Sequence, residues 1–374
     1  MKYINLVASL LLFVGCQSNK NSPLLKVLSS DAPAIKKVMS EPDKYEVQIL
    51  FTEVNRDDPT QITFKDYEYH VNDHMYFYPA STVKLPTALF ALEKITKFKK
   101  IGRYNPFKIE GDSIETNISE EIRKVLLISD NEAYNRLFEF VGKDAINARL
   151  KELGIKGRIS HRLSTPNADD LTSKLISFRA ADTTAIIPSR ENKPIAPLSL
   201  KSLQKGKGYI ENGELISEPK DFSKKNYLPI RSLHRIVKRL IFPNAYKEEQ
   251  RFQLRPNERL AFINTMGLVP GKYGYNLKKY PDNYGKFFVI GDIEGRKPND
   301  IHIYNKVGCA YGYLIDCAYI YNEKTEKDYI LTAVIQVNEN GIFNDDQYEY
   351  DEIGIPFLAE LGRQLVHHSG KTEE

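Results

Sequence analysis

The chain has 374 residues, enough for one large domain or two small ones with a sizeable core. Its 41% hydrophobic and 27% charged residues are ordinary for a soluble globular protein, and a net charge of +4 gives no argument for nucleic acid. Three cysteines are too few for a disulfide scaffold and none form a CxxC pair; the seven histidines contain no HExxH motif, so no metal or cofactor is implied.

The first residues are a targeting signal. Lys2 opens a short positive region, and Ile4 to Val14 is an apolar run too short to span a bilayer as a helix. It ends at Phe13-Val14-Gly15-Cys16, after which Gln17 to Ser22 is polar. This arrangement resembles a bacterial lipoprotein signal, with Phe13 where that pattern usually carries Leu. The resemblance implies removal of residues 1–15, lipidation of Cys16 and a polar tether over 16–33. The expected location is outside the cytoplasm, anchored by lipid to a membrane.

Ala34 to Met39 then reads as a helix that Pro42 ends. Tyr45, Val47, Ile49 and Phe51 alternate with Glu46, Gln48 and Thr52, the period of a half-buried strand. Asp57-Asp58-Pro59 supplies a turn, and Ile62 to Val71 reads as the antiparallel partner. From Val83 to Phe98 apolar residues recur at helical spacing, and further helices are expected over Glu120–Ile128, Asn131–Val141 and Lys143–Leu153. Phe287–Gly291, Ile301–Lys306, Tyr313–Tyr321 and Tyr329–Val337 read as strands, and Ile353–Val366 as a last amphipathic helix. Strands at both ends with helices between them predict an α/β architecture of the α+β type. One antiparallel sheet would be assembled from the two terminal segments, flanked by helices, with an all-helical lobe inserted.

Residues 189–259 stand apart, with 16 Lys or Arg against 8 Asp or Glu. Within them Leu233, Ile236, Val237, Leu240 and Ile241 fall at helical spacing among Arg231, Arg235, Lys238 and Arg239. A basic amphipathic helix of this kind suits an anionic membrane or polymer, or a surface helix docked by its apolar face.

Three motifs carry chemistry. Ser81-Thr82-Val83-Lys84 opens an apolar helix just after Pro79, so the two side chains share a face and Ser81 N–H lies at the positive helix end. A serine hydroxyl needs an adjacent base to become a nucleophile, and a lysine serves once burial or a nearby cation lowers its pKa. Ser129-Asp130-Asn131 falls between two helices, and Lys306-Val307-Gly308 ends an apolar strand. SxxK also occurs at Ser202 and Ser217, and KxG at Lys100 and Lys272, but only the first-named copies sit in such settings.

This set, in this order, resembles that of class A β-lactamases and penicillin-binding proteins. The resemblance covers about residues 34–367, with the basic segment 189–259 as an insertion. It implies Ser81 as nucleophile, Lys84 as acylation base or part of its relay, and Ser129 as proton donor to the leaving nitrogen. Asn131 would hold the substrate amide and Lys84, Lys306 would bind the substrate carboxylate, and Cys309 N–H beside Gly308 would be the second oxyanion donor.

Two features depart from that pattern. Val307 stands where the family has Thr or Ser, and no arginine follows on Tyr313–Tyr321. Class A enzymes place a glutamate before a proline in the loop after the third helix of this region; here Thr165 precedes Pro166, and Gly154 to Arg190 contains no glutamate, leaving Asp169 or Asp170 as substitutes. Three functions fit. One is a β-lactamase-like hydrolase with doubtful deacylation, a second a penicillin-binding D,D-peptidase-like enzyme acting on peptidoglycan-like peptides, and a third a non-catalytic envelope binding or scaffold protein. Cys309 and Cys317 are expected to be free, because a turn at Tyr311-Gly312 sets Cys309 opposite about Leu314 and Cys317 opposite about Lys306.

Overall fold

Two strands from the N-terminal segment and three from the C-terminal segment build one sheet. The computed structural model describes residues 22–58, 61–181, 183–293 and 298–368; the expected targeting signal and Cys16 lie outside them. Strands β1 (Gln48–Asn55), β2 (Thr63–Tyr69), β3 (Ile301–Ala310), β4 (Tyr313–Asn322) and β5 (Lys327–Gln336) run in the order β3-β4-β5-β1-β2, antiparallel throughout. The β1–β5 pairing, with Ile49 opposite Ala333, joins the two ends of the chain. Cys309 faces Leu314 and Cys317 faces Lys306, as the turn position requires, and both thiols are free.

Helices cover both faces. On one face α1 (Pro23–Leu28), α2 (Pro33–Met39) and α8 (Ile355–His368) bury Ile49, Phe51, Ile303, Leu331 and Phe357 in one core. On the other, α7 (Ile230–Ile241) crosses β1, β4 and β5 and buries Leu233, Ile236, Val237 and Leu240. The residues of β1 read as polar are therefore covered as well: Thr52 is fully buried because α7 brings His234 onto it. The basic side chains of α7 meet acids of β2. Arg231 reaches Glu68 at 2.9 Å, and Lys238 lies 3.7 Å from Asp66.

The lobe is built on α3 (Lys84–Ile95), which is buried along nearly its whole length. Around it pack α4 (Ile118–Leu127), α5 (Asn131–Val141) and α6 (Lys143–Glu152). Asn117 caps α4 by accepting from Glu120 N–H, and Asp130 caps α5 by accepting from Ala133 N–H. The expectation of an all-helical lobe is corrected: residues 107–109, 115–116, 176–179 and 184–187 form a small antiparallel sheet within it. Phe107 stacks near Phe178 there, a period-2 apolar pattern too short to stand out in the sequence.

The strand expected at Phe287–Gly291 is also corrected. Phe287 and Phe288 both donate their N–H groups to Asp316 Oδ2, at 3.0 and 3.3 Å. Successive N–H groups of a strand point to opposite sides, so this carboxylate selects a turn instead. Val289 has φ +69°, which also breaks an extended path.

Candidate active site

Ser81 lies in a single 3₁₀ turn, Ala80–Val83, that leads into α3. Ala80 just before it has φ +47° and Ser129 has φ +53°, a left-handed conformation that non-glycine residues adopt at a cost. The turn is pressed against β3. A Cβ on Gly308 would sit 2.8 Å from Pro79 O and 3.1 Å from Thr82 Cγ2, so glycine is required for this approach.

Lys84 is fully buried at the start of α3. Its Nζ lies within hydrogen-bonding reach of Ser129 O at 2.5 Å, Asn131 Oδ1 at 2.6 Å and Ser129 Oγ at 3.3 Å. The expectation of a direct Ser81–Lys84 pair is thus modified: the lysine spends its donors on the Ser129–Asn131 segment. Burial, and next the Lys306 cation, hold its pKa well below the ordinary lysine value.

Lys306 is buried on β3 and donates to Ser129 Oγ at 2.8 Å and to Val307 O at 2.8 Å. Burial pushes its pKa down to about 8, against smaller opposing effects of Cys317 and Asp316. Ser129 Oγ therefore receives N–H groups from two lysines. With both lone pairs so engaged, its own O–H is left to donate elsewhere. Asn131 is likewise held at both ends, accepting from Lys84 and donating to Ser164 Oγ at 2.9 Å.

A family model described as the β-lactamase enzyme family matches residues 32–197, the stretch holding Ser81, Lys84, Ser129 and Asn131. Over that stretch, under half of its length, the chain is similar to the β-lactamase enzyme family. Its fold is similar to that of a β-lactamase from Sphaerobacter thermophilus, at 14% identity and a TM-score of 0.51, over 94% of this chain and 98% of that one. It is similar also to L2 complexed with relebactam, at 13% identity and a TM-score of 0.52, over 93% and 98% of the two chains. No curated protein matches the chain at a significant level.

Ser81, Asn131 and Cys309 open onto one cleft of about 520 Å³. One wall is the loop 161–170, tied to α5 in two places. Arg162 Nε reaches Glu139 Oε1 at 2.6 Å, and the Asn135 amide bonds Leu163 N–H and C=O at 2.8 and 3.0 Å. The loop presents His161, Leu163, Ser164 and Thr165 to the cleft. Asp169 and Asp170 do not line it; Asp170 faces a different cavity with Asp112 and Glu139. Neither aspartate replaces the missing glutamate there. The far wall carries Tyr78, Tyr311, Tyr348 and Tyr350. Nothing in their spacing marked them as neighbours.

Behind Lys306 lies a buried polar network that sequence reasoning did not find. Lys286 Nζ donates to Asn305 Oδ1 at 2.6 Å, and Asn305 Nδ2 donates to Asp316 Oδ1 at 2.8 Å. Burial pushes Asp316 up to about 6, against the hydrogen bonds it accepts. The network docks residues 285–288 on the β3 edge, and next to it Tyr284 donates to Ile128 O at 3.2 Å. Asp316 inside the apolar run of β4 was the one visible sign of it.

Proposed function

We propose that this hydrolase opens a β-lactam or a related peptide amide by forming an acyl-enzyme on Ser81. The observation that carries the reading is the Ser129 hydroxyl, bonded by both Lys84 and Lys306 beside the cleft that holds Ser81. Lys84, its pKa lowered by burial and by Lys306, takes the Ser81 proton as Oγ attacks the carbonyl carbon. The C–N bond then breaks, the nitrogen takes the Ser129 proton, and an ester remains on Ser81. The backbone N–H groups of Ser81 and Cys309 would stabilise the oxyanion, and Lys306 alone would meet the substrate carboxylate, because Val307 offers no hydroxyl.

A penicillin-binding D,D-peptidase-like role is favoured by one specific feature. The loop places Thr165, with no carboxylate of its own, along the cleft. In either role the protein would act outside the cytoplasm, anchored through lipid on Cys16 to a membrane. Intact mass after seconds and after hours with benzylpenicillin tests the reading. One adduct mapped to Ser81 is expected, and an unmodified protein at both times would refute it.

A further inference from the structure

Tyr284 and Gly285 are consecutive residues of the segment before β3, and each ties to the neighbour of a site residue. Tyr284 Oη donates to Ile128 O at 3.2 Å, one residue before Ser129. Gly285 O accepts from Asn305 Nδ2 at 2.9 Å, one residue before Lys306. The bond from Lys306 Nζ to Ser129 Oγ, at 2.8 Å, closes the ring. Two adjacent residues thus bridge the helical lobe and the sheet at the point where Ser129 meets Lys306. On the Gly285 side the segment is fixed by buried bonds: Asn305 Nδ2 also donates to Asp316 Oδ1, and Lys286 Nζ donates to Asn305 Oδ1 and Ile303 O. The Ser129 side needs such a hold. Ile128 ends α4, and Ser129 follows at φ +53°, a left-handed place after a helix that usually takes glycine. A residue of this kind persists only where its surroundings fix it. Lys124 O accepts from Ile128 N–H at 3.1 Å and Lys84 holds the Ser129 carbonyl, while Tyr284 holds the carbonyl of Ile128.

We propose that Tyr284 is a positioning residue: by holding the Ile128–Ser129 peptide it aims Ser129 Oγ for proton delivery to the leaving nitrogen. This rests on the reading of Ser81 as the acylated residue and Ser129 as the proton donor. In that step the C–N bond breaks and the nitrogen takes the Ser129 proton. Lys84 Nζ, 3.3 Å from Ser129 Oγ, returns to it the proton taken from Ser81. Tyr284 acts through Ser129 and not on the reacting atoms. Its phenol stays a donor, because burial, and next Tyr280, Cys309 and Asp130, push its pKa up. Its ring is braced edge-on by Tyr280, with centroids 5.0 Å apart. A leaving group that departs as an anion needs no proton from Ser129, so substrates of the two kinds separate aim at Ser129 from general support of the fold.

Acylation rates followed by quenched-flow mass spectrometry test the assignment in Tyr284→Phe, which keeps the ring and removes the hydrogen bond. With benzylpenicillin, an amide, the rate at saturation should fall about tenfold, the worth of one lost hydrogen bond, with the half-saturating concentration within about twofold. With p-nitrophenyl acetate, whose leaving group departs as the phenolate anion, the rate should stay within about twofold of the wild type. Ser129→Ala should show the same split between the two substrates, only deeper. Tyr275→Phe, which loses a bond from Arg123 to the same segment, should acylate with both as the wild type does. The proposal is overturned by a wild-type rate with benzylpenicillin in Tyr284→Phe, by both substrates slowing alike, or by an equal loss in Tyr275→Phe. A wild-type protein that never acylates at Ser81, or a Ser129→Ala protein as fast as the wild type with benzylpenicillin, refutes the proposed function itself and this assignment with it. That failure is thereby distinguished from the failure of Tyr284 alone.

Discussion

Lys306 Nζ and Lys84 Nζ meet at one oxygen, Ser129 Oγ, from 2.8 and 3.3 Å. Two ammonium groups sharing an acceptor in a buried site repel, so one of them is driven towards its neutral form. Lys84 is the one more strongly lowered, and Lys306 is part of the cause.

Replacing Lys306 with Met should therefore raise the pKa of Lys84. The base form of Lys84 is needed for acylation, so the acid limb of the acylation rate should move to higher pH. The pH dependence of acylation with benzylpenicillin, at saturating and subsaturating concentrations, separates this from weaker carboxylate binding. A slower enzyme with an unmoved acid limb would show that Lys306 does not tune Lys84.

Ser81 should be the only residue labelled by a β-lactam. It sits in the turn against Gly308, with the Lys84–Ser129 pair one helical turn away. Ser81→Ala should abolish labelling and lower any hydrolysis by about 10³-fold or more, with thermal unfolding little changed. Peptide mapping decides it, and an adduct at Ser202 or Ser217 would remove Ser81 from its role.

Acid should destabilise the fold through His234 and His161. Thr52 Oγ1 gives its proton to Asp66 and so accepts from His234 Nε2 at 2.7 Å, which leaves His234 Nδ1 to accept from Thr332 at 3.0 Å. Burial pushes His234 down to about 3 and His161 to about 4. Both pKa values lie below the unfolded value, so the unfolded chain binds protons first as pH falls. The stability they carry is present above about pH 6.5 and declines towards pH 3 to 4, by at most about 1.4 kcal/mol per pH unit for each group. Asp316 acts oppositely, because its raised pKa favours the fold as pH falls from about 6. Urea unfolding at pH 7 and pH 5 should therefore show a shallower pH slope for His234→Gln than for the wild type. Equal slopes would mean that His234 is charged in the folded protein.

Much of the architecture was legible where one local pattern decides the outcome. The turn at Tyr311-Gly312, with Gly312 at φ +76°, sets the whole β3–β4 register, and so the Lys306–Cys317 and Cys309–Leu314 pairings follow from its position. What escaped depends on contacts distant in sequence. Thr52 reads as an outward polar residue until His234, 182 positions later, covers it. Phe287–Gly291 has strand composition, yet Asp316 draws two successive N–H groups to one oxygen. Helical spacing sets Ser81 and Lys84 on one face, but only the folded chain shows that the lysine donates to Ser129 and Asn131.

Cys309 and Cys317 should remain thiols under oxidising conditions. They are eight residues apart on a hairpin, each opposite a different partner, and Cys317 donates instead to Lys306 O at 3.3 Å. Iodoacetamide should modify exposed Cys309 in the native protein and buried Cys317 only after unfolding. A mass lower by two protons within this hairpin would contradict the register.

Acylation should outrun deacylation, so that penicillins are trapped more readily than destroyed. The acylating half of the site is fully organised, with Lys84 and Ser129 held by short hydrogen bonds. The deacylating half has no carboxylate from the 161–170 loop, since Asp169 and Asp170 lie off the cleft. A well-positioned general base is worth about 10²–10⁴ in rate, enough to turn a fast hydrolase into a slow one. Hydrolysis of a chromogenic cephalosporin should thus begin with a burst near one equivalent of enzyme and continue slowly. Thr165→Glu, which sets a carboxylate on the cleft wall beside Ser164, should raise the slow phase and leave the burst amplitude unchanged. Rapid turnover with no burst in the wild type would show that water and base are already well placed, and that the loop is not what limits the enzyme.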